Sequence, residues 1–117
     1  MNSVFRSDEN QATYDAYRAA GNLDKNCVLC DCQPINEFEH WRIIRNIFPY
    51  DKIAKSHDMI VPKRHVTELN LSEGEMAELR NIKETYLHTN YDFIIEPTYK
   101  MKSIPQHFHL HLIVARD

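Results

Sequence analysis

The sequence has no apolar run close to the ~20 residues that a transmembrane helix needs, and only two of its 117 residues are glycine. Lysine and arginine (14) are fewer than aspartate and glutamate (17). The resulting net charge of −3 gives no positive field to attract nucleic acid. No basic region followed by an apolar stretch marks the start, so no signal peptide is predicted. These absences predict a cytoplasmic protein with no membrane and no stable nucleic-acid partner.

The three cysteines fall within six residues, at positions 27, 30 and 32. An odd, tightly clustered set without a secretion signal argues against a disulfide framework. Cys27-Val-Leu-Cys30 has the spacing of half a tetrahedral zinc site. A redox pair should open a helix in a strand–helix unit, which Pro34 and the polar loop do not favour. Inert buried cysteines are the remaining alternative.

The hydrophobic pattern predicts an α+β domain in which one main helix covers an antiparallel sheet. Hydrophobic residues make up 43% of the chain, and its length fits one core. Ser72 and Glu75 form a capping box that begins the main helix. The predicted helices are 8–20 and 73–88, the predicted strands are 41–48, 57–61, 91–96 and 106–114, and residues 22–39 are predicted to form a loop. Residues 1–26 are interpreted as a helical extension and residues 27–117 as the domain proper.

The segment 107–113, His-Phe-His-Leu-His-Leu-Ile, is the most informative part of the sequence. Side chains alternate in a strand, so one face carries three imidazoles and the other three apolar groups: His107, His109 and His111 against Phe108, Leu110 and Leu112. Imidazole can act as nucleophile, acid, base or metal ligand near neutral pH. A chance surface patch and a metal site made of all three histidines are the alternatives.

This alternation resembles the signature of the histidine triad family. Residues 57–65, an apolar strand that ends in Pro-x-x-His, resemble the stretch upstream of that signature, and both matches lie within residues 27–115. The resemblance implies a five-stranded antiparallel sheet, commonly paired as a homodimer. It also implies that His109 attacks the α-phosphorus of a nucleotide to form a nucleotidyl-histidine intermediate, while His111 hydrogen-bonds the phosphate oxygens. The second ring nitrogen of His109 is expected to donate to a backbone carbonyl.

Relatives of this family, including galactose-1-phosphate uridylyltransferases, also carry Cys-x-x-Cys near the N-terminus. In them two histidines complete a Cys₂His₂ site. Carried over, the zinc ligands here are Cys27, Cys30, His65 and His107. Four protein ligands close the coordination shell, which is typical of structural rather than catalytic zinc. The resemblance thus implies a metal that fixes the start of the histidine strand.

The chain departs from the family pattern before the histidine strand. Many members have an asparagine and a glycine-rich loop there, whereas residues 96–106 contain no glycine and begin with Glu96. Glycine lets a backbone approach a phosphate closely, so other groups have to bind the substrate. The candidates are Ser103 and Gln106 as donors, with charge from Lys100 or Lys102.

The sequence therefore predicts a nucleotide-phosphate hydrolase acting on a nucleoside phosphoramidate, a dinucleoside polyphosphate or a similar adduct. A nucleotidyltransferase is one alternative, favoured slightly by Pro105, which the uridylyltransferase-like branch shares; His111 favours hydrolysis. A non-catalytic nucleotide- or zinc-binding module is the other. A complete triad argues against the module, because a binder has little need for a nucleophile.

Overall fold

The computed structural model describes residues 4–21, 27–102 and 104–117. The elements in chain order are α1 (Asp8–Ala19), α2 (Val28–Asp31), β1 (Pro34–Glu37), β2 (Trp41–Arg45), β3 (Ala54–Pro62), a 3₁₀ turn (Glu68–Asn70), α3 (Glu73–Ile82), a π-helical turn (Lys83–Leu87), α4 (His88–Asn90), β4 (Phe93–Ile95) and β5 (Leu110–Ala115). No helix in these ranges is long and apolar enough to cross a membrane.

The strands form a five-stranded antiparallel sheet in the order β1-β2-β3-β5-β4. The predicted α+β class is confirmed. Strand β3 lies at the centre and pairs with β5, and their register pairs Met59 with His111 and His57 with Ile113. Because neighbouring side chains in a sheet stand on the same face, this register brings β3 side chains next to the histidines of β5.

One face of the sheet is covered by the long helix that α3, the π-helical turn and α4 form together. Ser72 begins α3 with the predicted capping box to Glu75. Apolar helix residues then pack on the sheet in a single cluster: Leu79, Ile82 and Leu87 with Trp41, Ile43, Ile60, Phe108, Leu110 and Leu112. The apolar stripe predicted for the histidine strand is thus buried beneath the helix.

The opposite face carries a second, smaller apolar cluster beneath α2. Its buried members are Leu29, Ile44, Met59, Val61 and Ile104. Helix α1 also belongs to this side of the molecule, because Tyr14 and Tyr17 stack on Phe48 with ring centroids 5.1 and 4.9 Å apart. The two faces therefore differ in kind: one is a closed core, and the other leaves room for a site.

Several element boundaries differ from the sequence prediction; strands β2 and β4 are shorter than predicted, and β3 is longer. The predicted loop, where the structure describes it, contains α2 and β1. The sequence does not predict β1 because this edge strand has only four residues, and only alternate positions are partly buried. Strand β5 begins at Leu110, so His107 and His109 precede it. The long helix continues to residue 90 through its π-helical turn. Helix α1 agrees closely, with Ser7 as N-cap and Gly21 at φ 79° after its end.

Candidate functional site

Four side chains predicted as metal ligands converge at one point. One ligand atom from each of Cys27, Cys30, His65 and His107 lies within 4.8 Å of the other three. His107 Nδ1 is 3.2 Å from Cys27 Sγ and 3.4 Å from Cys30 Sγ, and His65 Nδ1 is 3.5 Å from Cys30 Sγ. Metal–donor bonds of roughly 2.0–2.3 Å in a tetrahedron separate the donors by about 3.3–3.8 Å. The cluster can therefore hold a metal ion.

The surroundings of the cluster fix its donors. Pro62 O can only accept, so the 2.9 Å contact means that His107 Nε2 carries the hydrogen and Nδ1 faces the sulfurs with a free lone pair. A hydrogen bond of this kind orients many metal-ligating histidines. On the other side, the Arg42 guanidinium donates to the carbonyls of Leu29, Cys30 and Cys32. Arg42 thereby anchors the turn that carries both cysteines to strand β2.

His109 is oriented by the backbone of the segment just before strand β5. Its Nδ1 lies 2.9 Å from His107 O, and a carbonyl oxygen accepts only, so Nδ1 donates. In the neutral ring this leaves Nε2 unprotonated and able to attack an electrophile. His109 is buried, and burial lowers its pKa from the ordinary value, which favours the neutral form. This is the backbone contact that the sequence led us to expect.

His111 belongs to a chain of hydrogen bonds that begins at a backbone amide. Tyr50 N donates to His57 Nδ1 at 3.0 Å, so neutral His57 carries its hydrogen on Nε2. That nitrogen lies 2.8 Å from His111 Nδ1 and donates to it. His111 must then carry its own hydrogen on Nε2, which lies 3.4 Å from the Tyr50 hydroxyl. Each ring thus has one defined tautomer.

Both rings of this pair are held neutral. Burial is the largest cause, and it lowers the pKa of His57 to about 3 and that of His111 to about 2. The positive charge of Arg6 acts in the same direction on both rings. A neutral His111 presents one N–H donor, which suits an acceptor such as a phosphoryl oxygen. The pair is therefore organised for hydrogen bonding rather than for carrying charge.

His109 and His111 both line a cavity of about 300 Å³. Their rings lie edge to face, with centroids 5.2 Å apart. This volume is at the lower end of the roughly 300–1,000 Å³ range of small-molecule sites. Beyond the histidines, the lining includes Val28, Leu29 and Cys32 from the cysteine turn, residues 45–48 and Tyr50, and also Val4, Phe5, Arg6, Gln11, Tyr14, Tyr17 and Arg18. The N-terminal segment thus forms one wall of the cavity.

The predicted substrate donors are placed differently from the histidines. Ser103 lies outside the described residues, and Gln106 is exposed and is not part of the cavity lining. Lys100 is also exposed. The Lys102 side chain is 4% exposed, and its Nζ lies 3.9 Å from a carboxylate oxygen of Glu96. Of these candidates, Lys102 is the one whose charged side chain is both described and largely buried. Its positive charge helps to lower the pKa of His109.

Sequence reasoning missed three residues of this site. His57 begins the 57–65 stretch that resembles the family, which is the available signal, but the sequence predicts for it only the start of a strand. Tyr50 follows Pro49 in a loop, and nothing in its neighbourhood pointed to the histidines. Arg6 is far along the chain from every histidine of the network, and only the docking of α1 brings it to the cavity.

The fold is similar to that of solved histidine triad structures. One, described as a Hit-like protein, shares 19% identity over 71% of this chain and 85% of its own, with a TM-score of 0.54. A histidine triad protein from Clostridium difficile shares 18% over 80% and 92% of the two chains, with a TM-score of 0.54. A HIT family hydrolase from Legionella pneumophila shares 22% over 79% and 95%, with a TM-score of 0.52.

No protein-family model matches the sequence, and no curated protein matches it. At 18–22% identity, the structural likeness concerns the backbone architecture rather than the activity. The likeness covers 71–80% of the chain. The chain therefore has the histidine triad fold that its sequence resembles.

Proposed function

We propose that the chain is a nucleotide-phosphate hydrolase in which His109 is the nucleophile. The observation that carries the proposal is the 2.9 Å hydrogen bond from His109 Nδ1 to His107 O, which leaves Nε2 unprotonated. A neutral imidazole in this tautomer is suited to covalent catalysis, because the attacking nitrogen does not have to lose a proton first. The cavity in front of it has the size and the apolar lining of a small-molecule site.

The reaction has two steps. His109 Nε2 bonds to the α-phosphorus of the substrate while the bond from phosphorus to the leaving-group oxygen or nitrogen breaks, and the leaving group departs with the bonding pair and takes up a proton from solvent. Water then attacks the same phosphorus, the P–N bond to His109 breaks, and the water's extra proton is released. The products are a nucleoside monophosphate and the protonated leaving group. His111 Nε2–H donates to a phosphoryl oxygen in both steps.

The four-residue cluster is proposed to hold structural zinc. Two thiolates and two imidazoles are a donor set that zinc prefers, and four protein ligands leave no position for substrate. The ligands are Cys27, Cys30, His65 and His107. When bound, zinc supplies a fixed cross-link between the cysteine turn and the start of the histidine strand. The homodimer and the cytoplasmic location stay predictions from the resemblance and the sequence.

The test is intact-mass analysis after brief, cold incubation with adenosine phosphoramidate or a dinucleoside polyphosphate. We expect an acid-labile adduct of one nucleotidyl group on the wild-type protein and none on His109→Ala. His88→Ala, a change at an exposed histidine of α4, is the matched control and should keep the adduct. Added inorganic phosphate distinguishes transfer from hydrolysis, because a transferase forms a nucleoside diphosphate.

A folded wild-type protein that forms no adduct and consumes no substrate would contradict the proposal. If it still binds nucleotide, the binding-module interpretation is correct instead. An adduct that persists in His109→Ala would place the nucleophile on another residue.

A further inference from the structure

Arg6 is a buried cation with no acidic partner among the described residues. It is 9% exposed, its Nε donates to Phe48 O at 2.8 Å, and its Nη1 lies 3.4 Å from Gln11 Oε1. Its guanidinium carbon stands 4.3 Å from the ring centroid of Tyr14 and 4.9 Å from that of Tyr50. Throughout residues 4–21, 27–102 and 104–117, no carboxylate forms a salt bridge with it.

These contacts satisfy only part of what a guanidinium can donate. Arginine has five N–H groups in a planar fork and stays charged at any pH at which proteins fold. The hydrogen bonds to Phe48 O and Gln11 Oε1 use two of these donors and supply no negative charge. A buried charge is costly unless it is paired. Arg6 therefore has donors and charge available for an anion.

The position of Arg6 in the cavity indicates which anion it could bind. Arg6 lines the same cavity as His109 and His111. The positive charge of Arg6 lowers the pKa of both His57 and His111. An anion that accepts from His111 Nε2 would thus lie within the electrostatic reach of Arg6.

The described residues of the cavity lining carry no negative charge. The lining contains two further arginines, Arg18 and Arg45, and none of its described residues is an aspartate or a glutamate. The chain as a whole has 17 acidic and 14 basic residues, so this local excess runs against the overall charge. A concave, apolar surface concentrates such a field and raises the local concentration of anions.

We propose that Arg6 binds a phosphoryl oxygen of the nucleotide, and that residues 4–21 form a recognition wall specific for the charged phosphate. The proposal rests on the proposed function and deepens it, because it assigns to a side chain the task that a glycine-rich loop performs in the family pattern. The substrate class is a nucleotide derivative with at least one ionised phosphoryl oxygen. Arg6 transfers no proton; its fork neutralises charge on the oxygens while His109 attacks.

The test compares the binding of AMP and adenosine by calorimetry, since the two differ only in the phosphate. Arg6→Met should weaken AMP about 10- to 100-fold, as expected for loss of a hydrogen-bonded charge pair, and leave adenosine unchanged. Arg6→Lys should fall between, because it keeps the charge and loses the fork. The matched control is Arg116→Met, which also loses an arginine–carbonyl hydrogen bond (to Asp51 O, 2.8 Å) but lies outside the cavity.

Equal weakening of AMP and adenosine by Arg6→Met would mean that Arg6 only supports the wall, and the proposal would be wrong. Unchanged AMP binding in the variant, or a wild-type protein that binds AMP no better than adenosine, would also overturn it. Thermal denaturation checks the fold, and Arg6→Lys carries the comparison if Arg6→Met does not fold. If Arg6→Met weakens the binding of AMP but not of adenosine, and the wild-type protein forms no His109 adduct, the proposed hydrolase function is wrong and this inference stands.

Discussion

Nε2 of His57 donates to Nδ1 of His111 across 2.8 Å, and the direction of that bond is set by a backbone amide on the far side of His57. A main-chain N–H cannot change its role, so the polarity of the whole chain from Tyr50 N to His111 Nε2 follows from the fold. His111 consequently presents a donor to the cavity whatever its ligand.

The first prediction concerns these protonation states. His57 and His111 should both be neutral Nε2–H tautomers, because burial lowers their pKa values to about 3 and about 2. Long-range ¹H–¹⁵N spectra of the imidazoles should therefore show no titration of either ring between pH 8 and about pH 4.5, well above both values. The His57→Gln variant assigns the signals. A midpoint near the ordinary histidine value of about 6.5 for either ring would contradict the burial argument.

The second prediction tests the role of His57 as a positioning residue. His57→Gln keeps an N–H that can donate to His111 Nδ1, whereas His57→Leu removes it. Under the proposed function, His57→Leu should lower kcat/KM about 10- to 100-fold, mostly through kcat, and His57→Gln should lose much less. The ¹⁵N spectrum of His111 should show mixed tautomers in His57→Leu alone. Equal losses in the two variants would mean that His57 only packs.

The third prediction concerns the metal. Protein purified without added metal or chelator should contain one zinc per chain, and Cys27→Ser should remove it. Losing an ion present at ~100 times its Kd costs about 2.7 kcal/mol, which lowers the Tm of a chain this size by roughly 10 °C or more. Cys32→Ser is the control, since its thiol donates to Val28 O at 2.9 Å and is not one of the four converging side chains.

Absence of zinc from the purified protein would end the zinc proposal. So would a Cys27→Ser variant that keeps both its metal content and its stability. Zinc loss in Cys32→Ser would show that Cys32 is itself a ligand and that one of the four proposed ligands is not.

The fourth prediction follows from Glu75. Its side chain is 3% exposed and accepts from Arg64 Nη2 at 2.6 Å, and this contact lowers its pKa from 4.5 to about 2. A depressed pKa stabilises the fold above pH 4.5, and the contribution is lost as the pH falls from 4.5 towards 2. Because Arg64 is 55% exposed, water weakens the pair, and we expect Glu75→Gln to cost about 1–2 kcal/mol at neutral pH.

Urea unfolding from neutral pH down to about pH 2.5 measures this contribution. The difference between the wild-type protein and Glu75→Gln should shrink as the pH falls below 4.5. Glu73→Gln, a change at an exposed carboxylate in the same helical turn, should follow the wild-type curve. A difference that does not depend on pH would show that the loss comes from packing rather than from charge.

The parts of the molecule that sequence predicted are those fixed by local pattern. The stripe of Phe108, Leu110 and Leu112 is buried because alternate residues of an extended chain face one side. The capping box at Ser72 needs only four adjacent residues. The spacing of Cys27 and Cys30 indicated half of the metal cluster, whereas His65 and His107 were implied by the resemblance to the family; the structure brings the four side chains together.

The parts that sequence could not predict depend on docking and register. The bond from His57 to His111 joins residues 54 positions apart and exists because β3 and β5 pair in one register. Arg6 reaches the cavity only because α1 packs its tyrosines on Phe48. Strand β1 was not predicted because it has only four residues at a sheet edge. With Ile35 half exposed, these residues show too little hydrophobic alternation to indicate a strand.

The cavity is lined by two separate parts of the chain, the N-terminal segment and the region around the sheet. Residues 4–21 pair with no strand of the described sheet, yet seven of them line the cavity. His109 and His111, in contrast, take their orientation from the carbonyl of His107 and from the ring of His57. Under the proposed function, substitutions in α1 would alter the wall that selects ligands without changing the groups that orient His109 and His111, so that ligand preference and chemistry could diverge independently.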